Sequence, residues 1–216
     1  MIVTQPDRVL LTAQIVRHAH AMKGKLLDIG AGRSRRYAAL FSAVTEYITL
    51  DASTDGKPDI VGSAEKIPLP DGSVDSILCT QVLEHVPHPV IALQEMFRVM
   101  KPEGSILLTV PQMNELHEVP RDFFRYTSYG LRTLFEDAGF RVEEIEQRGK
   151  YHATMMQMRI RLLIDRLHPY ERKFPMLLLA PLSLLLTKWA IFRDRLTTHE
   201  AYARHAIGWC VLAKKP

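Results

Sequence analysis

The chain has 216 residues, of which 47% are apolar and 24% charged, so it can form one sizeable hydrophobic core, and this composition excludes a disordered chain. Its two cysteines, Cys79 and Cys210, lie in separate apolar runs, which excludes a disulfide framework and a zinc site built on cysteine. The net charge of +4 is uneven: residues 1–147 hold 15 Lys and Arg against 20 Asp and Glu, whereas residues 148–216 hold 13 against 4.

The N-terminal residues predict a helix and no export signal. Apolar residues recur at helical spacing over residues 7–22, so we expect an amphipathic helix within residues 1–23. Asp7 and Arg8 stand where a secretory signal would be apolar. The sequence therefore favours a cytoplasmic protein, with peripheral contact at the inner face of the membrane as an open alternative.

From residue 25 onward, predicted strands and helices alternate with short loops. The predicted strands are 25–29, 46–51, 74–80, 105–110 and 140–147, and the predicted helices are 34–44, 90–100 and 128–139. Residues 58–73 are rich in turn-forming types, and residues 101–104 predict a loop. This alternation is typical of right-handed β–α–β units. We therefore predict an α/β fold with a doubly wound, mostly parallel sheet of about seven strands.

The composition changes after Gly149. Residues 150–203 are rich in Arg, Met and Leu, whereas residues 206–215 alternate like a strand. We predict that residues 150–203 form a helical insertion or lid before the last strand, and that residues 1–216 form a single domain.

Two glycines, Gly30 and Gly32, directly follow the first predicted strand. Glycines at such a turn let the backbone approach a ligand closely, although each could also be an ordinary turn residue. A dinucleotide site would have a third glycine where this chain has Arg35, so the spacing disfavours NAD and FAD. Asp51 ends the next strand, where a carboxylate suits a ribose diol or caps a helix. Together these residues predict a nucleoside site without a pyrophosphate.

Four segments in this order resemble the class I S-adenosylmethionine-dependent methyltransferases: LLDIGAG, LDAS, GSAEKIPLPDGSVDSILCTQVLEHV and ALQEMFRVMKPEGSILLTVP. The likeness is to the type 11 branch, which includes ubiquinone and menaquinone enzymes and bacterial envelope-glycan enzymes, and it covers residues 24–112. It implies a Rossmann-like methyltransferase fold, an enzyme, and S-adenosylmethionine as the cofactor. The cofactor-binding residues that it implies are Asp28, Gly30, Ala31, Gly32, Asp51, Ala52, Ser63, Ala64, Gln81 and Val82.

In that family the glycine turn contacts the methionine part of the cofactor, the acid after the second strand binds the ribose, and two residues after the third strand flank the adenine. This chain departs from the pattern at Ser34, where the family often has a glycine, and at Ser63, where it often has Asp. We expect binding to survive with a weaker adenine contact. These departures leave open a second function, a non-catalytic cofactor-binding module that acts at a membrane or through partners.

Polar residues follow the predicted strand 74–80 and should face the cofactor. His85 is a candidate general base, or else it only braces the loop. Some related quinone O-methyltransferases hold a divalent ion here with two acids and a histidine, but Gln81 replaces the first acid. We therefore predict no metal site.

The segment RDFFRY, residues 121–126, resembles a short signature of methyltransferases from bacterial glycan and envelope gene sets. Asp122 and Arg125 would orient a sugar or an acid group of the acceptor, between aromatic walls. The alternative is an Asp122–Arg125 ion pair with a helix cap at Thr127 or Ser128. The predicted catalytic residues are His85, Asp122, Arg125 and Tyr126.

The expected acceptor is a small molecule, methylated on an oxygen of a lipid-linked, glycan-like or quinone-like compound, and no nucleic acid is expected. The sequence also leaves open whether the chain contacts a membrane. Within residues 174–195, the candidate for this contact, residues 174–192 form an apolar run that prolines interrupt and that Arg172, Lys173, Arg193 and Arg195 flank. This pattern fits either a lid over the sheet or peripheral contact with an anionic membrane. The sequence does not set the oligomeric state.

Overall fold

The structure, a computed structural model, describes residues 3–32, 35–168, 170 and 173–216, with side chains of the last range described from residue 176. Ser34 and Arg172, on which two of the expectations above depend, lie outside the described residues. The described chain forms two compact units. The sheet unit comprises Gln14–Pro111, Leu116–Glu146 and Trp209–Pro216, and the helical unit comprises Met1–Ala13, Gln112–Glu115 and Gln147–Gly208.

A seven-stranded sheet confirms the predicted α/β fold, with strand order β3-β2-β1-β4-β5-β7-β6. The strands are β1 Gly24–Ile29, β2 Val44–Asp51, β3 Ile60–Val61, β4 Val74–Thr80, β5 Met100–Pro111, β6 Arg141–Arg148 and β7 Gly208–Lys214. The pairs β1–β2, β2–β3, β1–β4 and β4–β5 are parallel. The chain runs outward from β1 to β3 and returns to β4, so the strand order reverses between β1 and β4. Ligands of open α/β sheets bind at this kind of switch point.

The helices are α1 Pro6–His18, α2 Pro89–Val99, α3 Ser128–Asp137, α4 Tyr151–Leu167, α5 Lys173–Leu196 and α6 Glu200–Ala203. The predicted helices before β1, after β4 and after β5 are thereby confirmed. Helix α3 begins with a side-chain cap, because Oγ1 of Thr127 accepts a hydrogen bond of 3.1 Å from the Gly130 amide. The predicted insertion after residue 150 forms three helices of the helical unit, and its assignment to one domain with the sheet stays a prediction.

The predicted helix over residues 34–44 is wrong. Among the described residues of this segment, only Ala38–Leu40 form a single 3₁₀ turn, and β2 already begins at Val44. The β-branched pair Val44–Thr45 at its end is better placed in a strand. Tyr37 and Phe41 are buried beside this turn, so packing fixes the segment without a helix.

Two smaller differences concern strands. Strand β3 has two residues and lies in the stretch that the sequence marks only as rich in turns. The predicted loop over residues 101–104 falls inside β5, where the pairing with β4 shifts register between Val74 and Ser76. Glu103 there has a φ of +59°, a conformation typical of a turn residue.

The core of the sheet unit consists of apolar side chains from β1, β4 and β5 together with those of α2 and α3. Leu27, Ile77 and Ile106 are completely buried, as are Leu93 and Phe135. Burial of a side chain of this size contributes about 1.5–3 kcal/mol. This core holds the carboxyl ends of β1, β2 and β4 at one edge, where the candidate site lies.

Candidate functional site

A cavity of about 330 Å³ lies in the sheet unit at the carboxyl ends of the parallel strands. Its size is at the lower end of the range for small-molecule sites. Eight of the ten predicted cofactor-binding residues line it: Gly30, Gly32, Asp51, Ala52, Ser63, Ala64, Gln81 and Val82. They come from four separate loops, so the sheet brings together residues that are far apart in the sequence.

Gly30 and Gly32, in the turn after β1, line the cavity, and each position needs a glycine for a different reason. A Cβ on Gly30 would lie 2.2 Å from Cγ2 of Val82, whereas a Cβ on Gly32 would meet no atom within 4 Å. Both glycines have a positive φ, +70° and +61°, which side-chain-bearing residues rarely adopt. Gly30 is therefore required by close approach as well as by conformation, and Gly32 by conformation alone.

Asp51 presents a fixed carboxylate to the cavity. Its Oδ2 accepts a hydrogen bond of 2.9 Å from the Gly32 amide, and its Oδ1 accepts one of 2.8 Å from the Ser53 amide. Each carboxylate oxygen has lone pairs for one further donor. None of residues 52–59 is helical, so Asp51 caps no helix here. The geometry fits the role of holding a ribose diol, because both oxygens are already oriented by backbone amides.

Asp28 and Ala31, also predicted to bind the cofactor, are not among the residues that line the cavity. The carboxyl group of Asp28 is 3% exposed and accepts a hydrogen bond of 2.6 Å from the Tyr47 hydroxyl. Burial raises the pKa of Asp28 to about 7, the hydrogen bond from Tyr47 opposes this rise, and the charge of Asp51 adds to it.

Replacing Asp28 by Asn is expected to remove a pH dependence of stability. The unfolded carboxyl group titrates near pH 4, so between about pH 4 and 7 the folded protein holds a proton that the unfolded chain lacks. The stability of the wild-type protein therefore falls as pH rises through this window, by about 2–4 kcal/mol in total. Asn keeps an acceptor for Tyr47 without the titration. Thermal melts at pH 5 and pH 8 should show the variant gaining on the wild type at pH 8, and an equal difference at both pH values would contradict the assignment.

The loop after β4 is held in an unusual conformation. Gln81 has a φ of +56°, its amide donates to the Thr109 carbonyl at 2.9 Å, and its Nε2 lies 3.3 Å from Thr109 Oγ1. Non-glycine residues in this region are strained and occur often at functional sites. The chain then makes a single 3₁₀ turn, Leu83–His85, in which Glu84 is completely buried and His85 reaches the cavity.

Residues 121–126 bind this 3₁₀ turn through four hydrogen bonds. The amides of Phe123 and Phe124 donate to the Glu84 carbonyl at 2.9 and 3.2 Å. The Tyr126 hydroxyl donates to the Leu83 carbonyl at 3.0 Å, and His85 Nδ1 lies 2.5 Å from the Arg121 carbonyl oxygen. Burial raises the pKa of Tyr126, which keeps its hydroxyl a donor. We call residues 121–126 the clasp.

Asp122 and Arg125 pair with each other inside the clasp. The guanidinium donates to both carboxylate oxygens, at 2.6 and 2.7 Å, and the Asp122 side chain is 1% exposed. Asp122 also accepts the His117 amide at 2.9 Å, and Arg125 holds the pKa of this carboxyl group well below its usual range. The ion-pair alternative is thus confirmed. Asp122, Arg125 and Tyr126 do not line the cavity, and their catalytic roles stay predictions.

Several lining residues were not predicted. Glu118, in the loop before the clasp, lines the cavity, and so does Arg121, the first residue of the clasp. Glu65, which follows β3, lines it as well. The only sequence signal was the position of Arg121 in the RDFFRY segment. Glu84, His85 and His117 each offer one ligand atom, and these atoms lie within 4.8 Å of one another. The predicted absence of a metal stays a prediction.

Part of the chain is similar in sequence to methyltransferases. Residues 27–108 match a family model described as a methyltransferase domain. A "Probable S-adenosylmethionine-dependent methyltransferase" of Mycolicibacterium smegmatis is 34% identical over 89 residues, which are 38% of this chain and 35% of the relative. The chain spans less than half the length of the curated relatives that it matches.

Solved structures share the fold across nearly the whole chain. A S-adenosylmethionine-dependent methyltransferase from Archaeoglobus fulgidus superposes with a TM-score of 0.59 at 19% identity, covering 96% of this chain and 94% of that one. Phosphoethanolamine N-methyltransferase 2 of Haemonchus contortus, in complex with S-adenosylmethionine, gives 0.59 at 18% identity, over 95% of this chain and 52% of that one. At these identities the likeness shows the fold alone.

Two features of the cavity suit a cofactor that contains adenosine: a carboxylate oriented by backbone amides, which could hold a ribose, and a glycine turn in the lining. Residues 27–108 therefore match a methyltransferase domain, and the sheet that contains them has the Rossmann-like fold of such domains.

Proposed function

We propose that the chain transfers the methyl group of S-adenosylmethionine to a hydroxyl oxygen of a small amphipathic acceptor. The observation that carries this proposal is the environment of His85, which lines the cavity. Its Nδ1 lies 2.5 Å from the Arg121 carbonyl oxygen, and a carbonyl oxygen only accepts hydrogen bonds. Nδ1 therefore carries the proton, and in the neutral ring Nε2 carries the lone pair.

The free lone pair at Nε2 can take the proton of an acceptor hydroxyl. Oε2 of Glu118 lies 3.8 Å from Nε2, so a carboxylate faces the nitrogen that takes the proton. When bound, S-adenosylmethionine supplies an electrophilic methyl group on a sulfonium. The chain's own part is to hold the acceptor oxygen in line and to remove its proton.

The resemblance to class I methyltransferases implies which residues of the cavity contact each part of the cofactor. Asp51 would accept the ribose hydroxyls, the glycine turn would lie against the methionine part, and Ser63 and Ala64 would flank the adenine. All three loops line one cavity, which supports this distribution. Ser63 Oγ already accepts a hydrogen bond of 3.1 Å from the Glu65 amide, so its hydroxyl hydrogen is left to donate to an adenine nitrogen.

Exposed apolar side chains near the clasp support an acceptor with an apolar part. Leu116 and Val119 are 74% and 70% exposed, and Phe123 and Phe124 are also exposed. Arg121 adds a positive charge at the cavity. Among the expected classes, a lipid-linked or quinone-like compound matches this combination better than a free sugar.

Replacing His85 by Asn is expected to lower kcat about 10²–10⁴-fold while leaving cofactor affinity within about twofold. The measurement is release of S-adenosylhomocysteine with lipid and aqueous extracts as acceptor sources, followed by kinetics on the fraction that supports turnover. His88→Asn is the matched control, because His88 is exposed and lies outside the cavity lining. An acceptor with a more acidic hydroxyl should partly restore the rate of the His85 variant. Equal rates for the two variants would remove His85 as the base.

The same assay separates catalysis from the alternative of a non-catalytic cofactor-binding module. An enzyme releases S-adenosylhomocysteine in proportion to the acceptor, whereas a binding module retains the cofactor unchanged. The strained Gln81 backbone and the oriented His85 favour an enzyme, because a module that only binds needs neither. The predicted cytoplasmic location stays a prediction.

A further inference from the structure

Helix α5, Lys173–Leu196, has an apolar outward face although it buries polar side chains. Ser183, Thr187 and Asp194 lie on its inward face beside the buried Leu179 and Ala190. Its outward face carries exposed apolar side chains: Leu177, Leu178, Leu182, Leu184, Leu185, Trp189, Phe192 and Leu196. An ordinary surface helix turns its apolar stripe to the core and its polar side to water. We call these eight residues the outer face of α5.

The polar inward residues make specific hydrogen bonds within the helical unit. Ser183 Oγ accepts from the Thr4 amide at 2.9 Å, and Thr187 Oγ1 donates to the Thr4 carbonyl at 3.3 Å. Asp194 accepts the amides of Lys150, His152 and Ala153 at 2.7–3.2 Å, at the start of α4. Rotating α5 to bury its outer face would leave these groups without partners, which costs about 1–3 kcal/mol each.

The outer face of α5 exposes a long apolar surface to water, so binding of this face to another apolar surface is expected. Within Met176–Leu196, a window of 18 residues has a mean hydropathy of 1.5, and 28% of that window is buried. Length and composition alone would also permit a membrane span. The hydrogen bonds of the inward face attach α5 to the helical unit along its length, which favours a helix that lies flat on a surface.

The charged residues of α5 indicate what kind of surface the helix binds. Lys188 and Arg195 lie on one side of the outer face and Arg193 on the other, at 100° per residue. The guanidinium of Arg193 lies 5.9 Å from the centre of the Trp189 ring. Asp194 is the one acid of α5, and it is buried. Basic residues beside an apolar stripe with a tryptophan match anionic lipid headgroups. A second copy would instead bring these cations against one another.

We propose that the outer face of α5 binds the surface of an anionic lipid bilayer, with the helix parallel to the membrane plane. Leu178, Leu185 and Phe192 lie at the centre of the face and enter the headgroup region. Lys188, Arg193 and Arg195 contact lipid phosphates. This inference goes beyond the proposed function, because it concerns the helical unit and holds whether or not the chain transfers a methyl group.

The test is co-sedimentation of the full chain with vesicles of phosphatidylcholine mixed with phosphatidylglycerol, and with vesicles of phosphatidylcholine alone. The chain should pellet with the anionic vesicles at low salt, bind more weakly as salt rises, and bind least to the neutral vesicles. Leu185→Glu should weaken binding at least about tenfold, because a leucine is lost and a repelled charge is gained. Val16→Glu, the same kind of change on an exposed residue of α1, is the matched control and should leave binding unchanged.

Tryptophan fluorescence gives a second, local readout. Trp189 is 50% exposed, so its emission should shift to shorter wavelength on anionic vesicles, and the shift should disappear in Trp189→Phe. Circular dichroism melts show whether each variant is folded. The proposal is overturned if the folded wild type stays in the supernatant with anionic vesicles at low salt, or if Leu185→Glu binds as the wild type does. It is also overturned if the wild type is a dimer that Leu185→Glu dissociates and that does not bind vesicles.

Discussion

Asp51→Ala is expected to lower the affinity for S-adenosylhomocysteine by about 2–4 kcal/mol, or roughly 30-fold to several hundredfold. If Asp51 holds the ribose as proposed, the variant loses two charge-assisted hydrogen bonds to it. It also loses the acceptor of the Gly32 amide, at 2.9 Å, which orients the glycine turn. Isothermal titration calorimetry with the product measures the loss without turnover.

Two further variants separate these contributions. Asp51→Asn keeps an oxygen for the Gly32 amide but lacks the negative charge, so its loss should be smaller than that of Asp51→Ala. Asp55→Ala is the matched control, because Asp55 is an exposed acid of the same loop that does not line the cavity. It should bind as the wild type does. Unchanged affinity in Asp51→Ala would mean that the ribose is held elsewhere.

Gly30→Ala is expected to destabilise the protein by about 2–4 kcal/mol and to weaken cofactor binding with it. A positive φ costs an alanine about 1 kcal/mol, and the new Cβ would lie 2.2 Å from Cγ2 of Val82, which adds an overpacking cost of about 1–3 kcal/mol. Urea denaturation measures the stability, and calorimetry with S-adenosylhomocysteine measures the binding.

A double variant tests whether the contact with Val82 is the cause. Val82→Ala removes Cγ2, so it should restore part of the stability that Gly30→Ala loses, and the two changes should be non-additive. Gly32→Ala has the same conformational cost but open space around the Cβ, so its effect should be smaller than that of Gly30→Ala. Additive effects of Gly30→Ala and Val82→Ala would show that the close approach is not what requires a glycine.

The sheet could be predicted because its strands are apolar runs with clear boundaries. Strand β4 and most of β2 lie where the sequence places them, since buried parallel strands are nearly continuous in hydrophobicity. Strand β3, with two residues, has too little pattern to be recognised. The prediction of a helix over 34–44 was wrong because the spacing of apolar residues does not show that Tyr37 and Phe41 can be buried without a helix.

The cofactor side of the site could be predicted better than the acceptor side. Gly30 and Ser63 come just after strands and Asp51 ends one. Parallel strands bring their carboxyl ends to one edge. The clasp could not be predicted, because its hydrogen bonds join residues about forty positions apart and leave no periodic signal. For Asp122 and Arg125, three positions apart, the sequence allowed both a ligand site and an ion pair.

Helix α5 shows a different limit of sequence analysis. Its spacing of apolar residues identifies an amphipathic segment, but periodicity does not tell which face points inward. The usual assumption would expose Ser183 and Thr187. The backbone of Thr4, far away in the sequence, makes their burial favourable.

A crystal structure of the chain with S-adenosylhomocysteine would show whether the cavity at the carboxyl ends of β1, β2 and β4 is the cofactor site. We expect the adenosine in this cavity, with both ribose hydroxyls within hydrogen-bond distance of the Asp51 carboxylate and the adenine beside Ser63 and Ala64. We expect the sulfur on the side of the cavity where His85 lies. Density for the product at another place in the chain, or a ribose without contact to Asp51, would mean that the cavity does not bind the cofactor in this way.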